Sequence, residues 1–255
     1  MLFNGMGGEG WMSHGLADPL AAERAIAAVD ATLTKRGYTA ELETDFAAFS
    51  MVRRRLRSGK PESAVFDPQA SAITPKKAFW MSLTNSHGDC VALQAFRADH
   101  AEPSLADWAL GWMMGVYLKR SELVIPQRID PPADSIAHKL SGTVVYHGEL
   151  GLSHEVRGDQ VLEPFARLGM LLSYIRWRPK AIWALTNGKM AYYANMPRWG
   201  YAHQERGFMS WQFEPDGACL SEWLSVADRP ALERLIRELA IKRPEYRREL
   251  ALISP

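Results

Sequence analysis

The segment that most limits what this chain can fold into is the six-residue run Ala181–Thr186 (AIWALT), which has helix-period sequence on both sides. It is short, apolar and β-like, so it reads as a buried strand. Before it, residues 160–177 place Val161, Phe165, Leu168, Leu172 and Ile175 on one helical face. After it, residues 187–199 read as loop and helix, rich in alanine and tyrosine. Gly142–Leu152 (GTVVYHGELGL) is a further strand, and Tyr201–Phe213 holds two strand-like runs broken near Glu205-Arg206-Gly207. Strands and helices that alternate in this way pack as layers around a mixed sheet, the α/β (α+β) class.

The first half supplies the flanking elements. Residues 18–36 read as a helix, with Asp18 as cap, Pro19 at the first position and Gly37 as the stop. Tyr38–Glu43 alternates like a strand. Asp45 caps a helix through Arg57 that carries Phe46, Phe49, Val52 and Leu56 at helical spacing. The basic run Arg53-Arg54-Arg55-Leu56-Arg57 reads as a solvated face of that helix. Residues 58–76 form a long loop, and 121–141, with Pro126, Pro131 and Pro132, an irregular segment. Ala78–Thr84 and Cys90–Ala98 flank a short turn and predict a hairpin. Ser104 caps a helix over Leu105–Lys119 that is apolar nearly all round, so it is buried or faces a partner or a greasy ligand. Asp228 and Pro230 start a last helix through Ile241. The expected organisation is a loose segment and helix over 1–37, then one domain over 38–255.

Charge and cysteine usage narrow the function. The chain of 255 residues has 30 Lys+Arg against 29 Asp+Glu, a net charge of +1 that gives no general affinity for nucleic acid or an anionic membrane. Cys90 and Cys219 belong to no CxxC pair, which argues against structural zinc and a disulfide framework and for a reducing cytoplasm. The N-terminus lacks the pattern of a signal peptide, and the longest apolar stretch, Trp108–Leu118, is too short to span a bilayer. Gly5, Gly7, Gly8 and Gly10 follow no strand and precede no GK[ST], so no phosphate loop is expected there. His147-x-Glu149 lacks a following P-C-x-x-C, and His154-Glu155 is not H-E-x-x-H, so no catalytic metal is expected.

Three pieces of the second half act together: Arg157-Gly158 just before a helix, the strand AIWALTN, and Ala191 followed by Trp199-Gly200-Tyr201. In that order they resemble the GNAT superfamily of N-acyltransferases, whose fold runs hairpin, central strand, helix, buried strand, helix and closing strand pair. The resemblance covers residues 38–213 by order of elements and implies a mixed, mostly antiparallel sheet flanked by helices. With the greasy 105–118 helix and the long loops, it extends to the branch of N-acyl amino acid synthases and acyl-homoserine-lactone synthases. It implies an acyl-CoA or acyl-carrier-protein thioester as co-substrate and a small-molecule amine as acceptor, and leaves room for a homodimer. The chain departs from the pattern in two places. Gln160 and Leu162 stand where glycines usually let backbone N–H groups approach a pyrophosphate, with Asp159 adding negative charge. Gly200 lies nine residues after Ala191, one more than the usual spacing.

Acyl transfer to an amine needs a base for the nitrogen proton, a donor for the developing oxyanion and a proton for the departing thiolate. It needs no protein nucleophile, which fits a chain without a GxSxG elbow. Glu149 is the first candidate base and His147 the second. Two apart on a strand, they are expected to share a face; otherwise they form the solvent side of an ordinary strand. Tyr193, then Tyr192, is the candidate acid, against a reading as core packing. Arg157 and Gly158 are candidates for phosphate, against a simple loop. Asn187 either orients a pantetheine amide or caps the next helix. The alternative to an enzyme is a GNAT-like fold that has lost catalysis and binds an acyl ligand or a protein.

Overall fold

The computed structural model describes residues 19–57, 63–120, 124–156, 160–193, 196–213 and 219–241. An eight-stranded sheet forms its spine. The strands are β1 (Thr39–Glu43), β2 (Ala78–Thr84), β3 (Cys90–Ala101), β4 (Val124–Ile129), β5 (Gly142–Leu152), β6 (Ala181–Thr186), β7 (His203–Phe213) and β8 (Cys219–Asp228). Across the sheet they lie in the order β1-β2-β3-β5-β6-β8-β7-β4. All neighbours are antiparallel except β5 and β6. A parallel pair needs a crossover, and here it is a helix. The helices are α1 (Pro19–Thr34), α2 (Phe46–Leu56), α3 (Leu105–Tyr117), α4 (Leu162–Trp177), α5 (Gly188–Tyr193), α6 (Met196–Trp199) and α7 (Arg229–Ile241).

Alternation along the strands divides the core between the two faces of the sheet. Val145, Ile182 and Ala227 point to one face, where α1, α4 and α7 cover them through Val29, Leu33, Phe165, Leu168, Leu232 and Ile236. Val144, Tyr146, Trp183, Leu224 and Val226 point to the other, where α2 and α3 pack with Phe46, Phe49, Leu105 and Met113. The helix α4 sits unusually close to the sheet. A Cβ on Gly169 would lie 2.3 Å from Cε2 of Phe96, so only glycine allows this approach. Burial on both faces explains why β6 reads as an unbroken apolar run.

Caps fix the ends of the helices. The Asp45 carboxylate accepts from the N–H groups of Ala47 and Ala48, and Ser104 accepts from Asp107 N–H. Gly200, at φ +119°, ends α6: its N–H reaches Pro197 O, and Tyr201 N–H reaches Met196 O, the paired bonds of a Schellman turn. The long 58–76 loop is held from Ser63 onward by Arg97. Its guanidinium donates to Val65 O and Ser71 Oγ, pairs with Asp99, and lies over the Trp112 ring.

Three expectations change. The 121–141 segment is not wholly irregular, since it contains β4. This is the sheet's outer strand, where a proline such as Pro126 removes no bond on the open side. The two runs in 201–213 are one strand, β7, with an irregularity between Glu205 and Met209 where Gly207 adopts φ +75°. The closing pair is therefore β7 with β8, whose interspersed polar and apolar residues give no long apolar run. The 53–57 arginines are not all solvated, because Arg53 is only 2% exposed.

Candidate active site

The strands β5 and β6 pair only at Val144–Ala181, Val145–Ile182 and Tyr146–Trp183. Both continue beyond that point, to Leu152 and Thr186, while β6 stays bonded to β8 and β5 to β3. The parallel strands therefore part and leave a notch at their carboxyl ends, where open α/β sheets take ligands. A β-bulge accounts for the parting. Leu93 faces Gly151 and Ala95 faces Gly148, so Glu149 and Leu150 together oppose Gln94. Glu149 takes φ +55°, and the extra residue bends the strand.

The bulge also overturns the expectation that His147 and Glu149 share a face. His147 stacks on Phe96, on the α1/α4/α7 side, at 4.3 Å between ring centres. Glu149 turns to the α2/α3 side, where its carboxylate meets Arg53 Nε at 3.0 Å and Arg57 Nη1 at 3.2 Å and accepts from Ser63 N–H at 2.6 Å. Arg53 and Glu149 are both nearly inaccessible, so each charge depends on the other. The neighbouring glycines make room for these groups. A Cβ on Gly148 would meet Phe66, and one on Gly151 would meet Arg57.

On the α2/α3 side a ring of side chains surrounds Tyr146. Ser63 Oγ is 3.1 Å from the Tyr117 hydroxyl. The Tyr117 ring meets Trp211 edge-on at 4.9 Å, and Trp211 Nε1–H donates to Glu222 Oε2 at 2.6 Å. Trp112 and Trp183 pack against Tyr146 from below. Burial raises the Tyr146 phenol well above its ordinary pKa, and Tyr117, Glu222 and Glu149 lie near enough to add to the effect. Burial also raises the Glu222 carboxyl, opposed by the Trp211 hydrogen bond.

On the opposite side, His147 Nδ1 lies 2.6 Å from the Tyr201 hydroxyl. Burial lowers the His147 pKa to about 3 and pushes the Tyr201 phenol up, so both stay neutral. The first turn of α4 follows β5 in the chain, and the side chain of Val161 at its cap position makes no capping hydrogen bond. Its leading N–H groups are the kind of donors that bind anions. Glu163 in this turn draws in Arg167 at 2.8 Å and Arg198 at 3.1 Å, leaving a net positive charge. Gln160, where the resemblance leads one to expect glycine, adopts φ +54°, the conformation glycine favours.

Among the other sequence candidates, Asn187 caps α5, accepting Met190 N–H at 2.8 Å. The backbone of Tyr192 and Tyr193 lies in α5, which starts just after β6; their side chains, like Arg157 and Gly158, lie outside the described residues. Cys90 is a free thiol whose pKa burial raises, unlike an activated nucleophile. Among the described residues no group of three or more His, Cys, Asp or Glu is placed to hold a metal, and no helix is long and apolar enough to cross a membrane. Sequence reasoning missed Tyr146, Tyr117, Trp211 and Glu222. A signal for Glu222 exists: Leu220, Glu222, Leu224 and Val226 alternate, which puts one acid on an otherwise apolar face.

A hairpin, a central strand, a crossover helix, a buried strand, short helices and a closing strand pair, with one parallel pair that parts, make this a GNAT-like fold with a mostly antiparallel sheet. No protein-family model matches the chain, and no curated protein matches it. Among solved structures it is similar to Arabidopsis thaliana NAA60 in complex with acetyl-CoA, at 13% identity over 76% of this chain and 99% of that one, with a TM-score of 0.43. The same protein in complex with a bisubstrate analogue matches at 13% identity over 74% and 97%, with a TM-score of 0.40. FeeM, an N-acyl amino acid synthase from uncultured soil microbes, matches at 12% identity over 84% of this chain and 88% of that one, with a TM-score of 0.33. The strand order, rather than these distant superpositions, defines the fold.

Proposed function

We propose that the chain is an N-acyltransferase that moves an acyl group from a thioester, either acyl-CoA or an acyl-carrier protein, to a small-molecule amine by direct attack. The observation that carries this reading is the notch between β5 and β6, with α4, whose cap residue Val161 makes no side-chain hydrogen bond, as the helix that crosses from one strand to the other. A thioester threaded through the notch would present its carbonyl between the two faces of the sheet. Its phosphates would meet the leading N–H groups of α4, the guanidinium groups gathered by Glu163, and Arg157 and Gly158 just before the helix. The amine would enter on the α2/α3 side, beside Tyr146.

In this reading Glu149 is a positioning residue, because its carboxylate is already engaged by Arg53, Arg57 and Ser63 and so pins the bulge. His147 positions Tyr201. Tyr193, with Tyr192 as second choice, returns a proton to the departing thiolate from α5. The free Cys90 thiol and the thioester donor suit a cytoplasmic location.

Titration calorimetry with acetyl-CoA, a long-chain acyl-CoA and free CoA tests the reading, followed by thiol release with a panel of amines. Micromolar binding with amine-dependent thiol release is the expected result. Binding without turnover for any amine favours the alternative, an acyl-ligand or protein-binding module, which the side chains of Gln160 and Leu162 in place of glycine favour. Absence of both CoA binding and thiol release from an acyl-loaded carrier protein would overturn the acyltransferase reading and leave the protein-binding one.

A further inference from the structure

We infer that Glu222 is the group that takes the proton from the acceptor amine, an inference that rests on the acyl-transfer reading above. Its position carries the argument. Leu185 pairs with Leu224 and Thr186 with Trp223, so Glu222 sits one residue past the end of β6, level with the mouth of the notch. Its side chain is on the α2/α3 face, fixed by the Trp211 indole at 2.6 Å and close to Tyr146. The bulge sets Glu149 on the same face of the sheet, from β5. The two carboxylates differ in what holds them. Two guanidinium groups neutralise Glu149, whereas among the described residues no cation pairs with Glu222. A carboxylate without a cation, inside an aromatic enclosure, both attracts an ammonium group and accepts its proton.

Among the described residues, the titratable groups near enough to act on Tyr146 beside Glu222 are Tyr117 from α3, Glu149 from β5 and, from the turn after α6, Tyr201. Burial raises the Glu222 carboxyl, which brings it closer to the range a base at neutral pH requires. An ammonium gives one proton to the Glu222 carboxylate. The neutral nitrogen attacks the thioester carbon, the C–N bond forms, and the C–S bond breaks with its electron pair on sulfur. The second nitrogen proton ends on the thiolate. The enclosure of Tyr117, Trp211, Tyr146 and Trp112 suits an alkyl or arylalkyl primary amine.

The test compares two acceptors with the full chain and its active thioester, an alkylamine that is protonated at neutral pH and hydroxylamine, which is already neutral there. With Glu222→Gln, kcat/KM for the alkylamine should fall about 100-fold or more, and for hydroxylamine less than about tenfold. The glutamine keeps an acceptor for Trp211, and thermal denaturation checks folding. In a second variant, Trp211→Phe, loss of the bond that favours the carboxylate should move the acid limb of the alkylamine profile to higher pH. Equal losses with both acceptors, no loss with either, or an unmoved limb in Trp211→Phe would overturn the assignment. Wild-type chain that transfers to neither acceptor would instead sink the acyl-transfer reading.

Discussion

His147 and Tyr201 meet in the interior with 2.6 Å between Nδ1 and the hydroxyl, joining the strand that opens the notch to the turn that ends α6. Among the described residues the other imidazole nitrogen is buried without a partner. A protonated ring would be an uncompensated charge there, which is why burial holds the pKa at about 3. Between the ordinary value of 6.5 and about 3, the unfolded imidazole binds a proton that the folded one refuses. Stability is therefore full above that window and falls as pH falls through it, by up to ~1.4 kcal/mol per pH unit. Urea denaturation between pH 7 and 4 should show this slope in the wild type and a shallower one in His147→Leu.

Tyr201→Phe keeps the ring and removes the hydroxyl, leaving His147 Nδ1 unsatisfied in the core. The expected loss is about 1–3 kcal/mol at neutral pH, read from the shift of the urea midpoint.

Glu149→Gln removes the charge that faces Arg53. A buried guanidinium left without its carboxylate costs about 3–5 kcal/mol, while Arg57 is exposed enough to turn to water. Calorimetric melting should show the loss. Glu149→Gln that melts like the wild type would mean that the pair is not needed to hold the bulge.

Gln160→Gly should stabilise the chain by about 0.5–1 kcal/mol, since φ +54° strains a residue with a Cβ. In the acyl-transfer reading it should also tighten CoA binding, because the backbone already has the shape glycine would take. Denaturation and calorimetry measure the two effects separately.

Gly169→Ala should cost about 1–3 kcal/mol and move α4 outward, because the new methyl would meet Phe96, whose ring is already stacked on His147. Reduced protection of α4 amides in hydrogen exchange would accompany the loss.

Much of the fold was legible from local pattern. The β5 and β6 limits, the hairpin and the caps at Asp45 and Ser104 follow from turn chemistry and hydrophobic period. The outer strand β4 was hidden by its proline, and β8 by its mixed composition. Of the site, His147, Glu149 and Asn187 were singled out from sequence, but the surroundings of the first two were not foreseen.

By itself the sequence determined the layered class, the single buried β6 and the helix that crosses from β5 to it, because burial and period act over a few neighbouring residues. Only the tertiary structure decided that His147 and Glu149 point to opposite faces, that Arg53 is interior, and that Glu222 stands level with the notch. Each of these depends on one extra residue in a strand or on register between segments far apart in the chain. A bulge reverses the side to which every later residue points, and no alternation read along one strand reveals it.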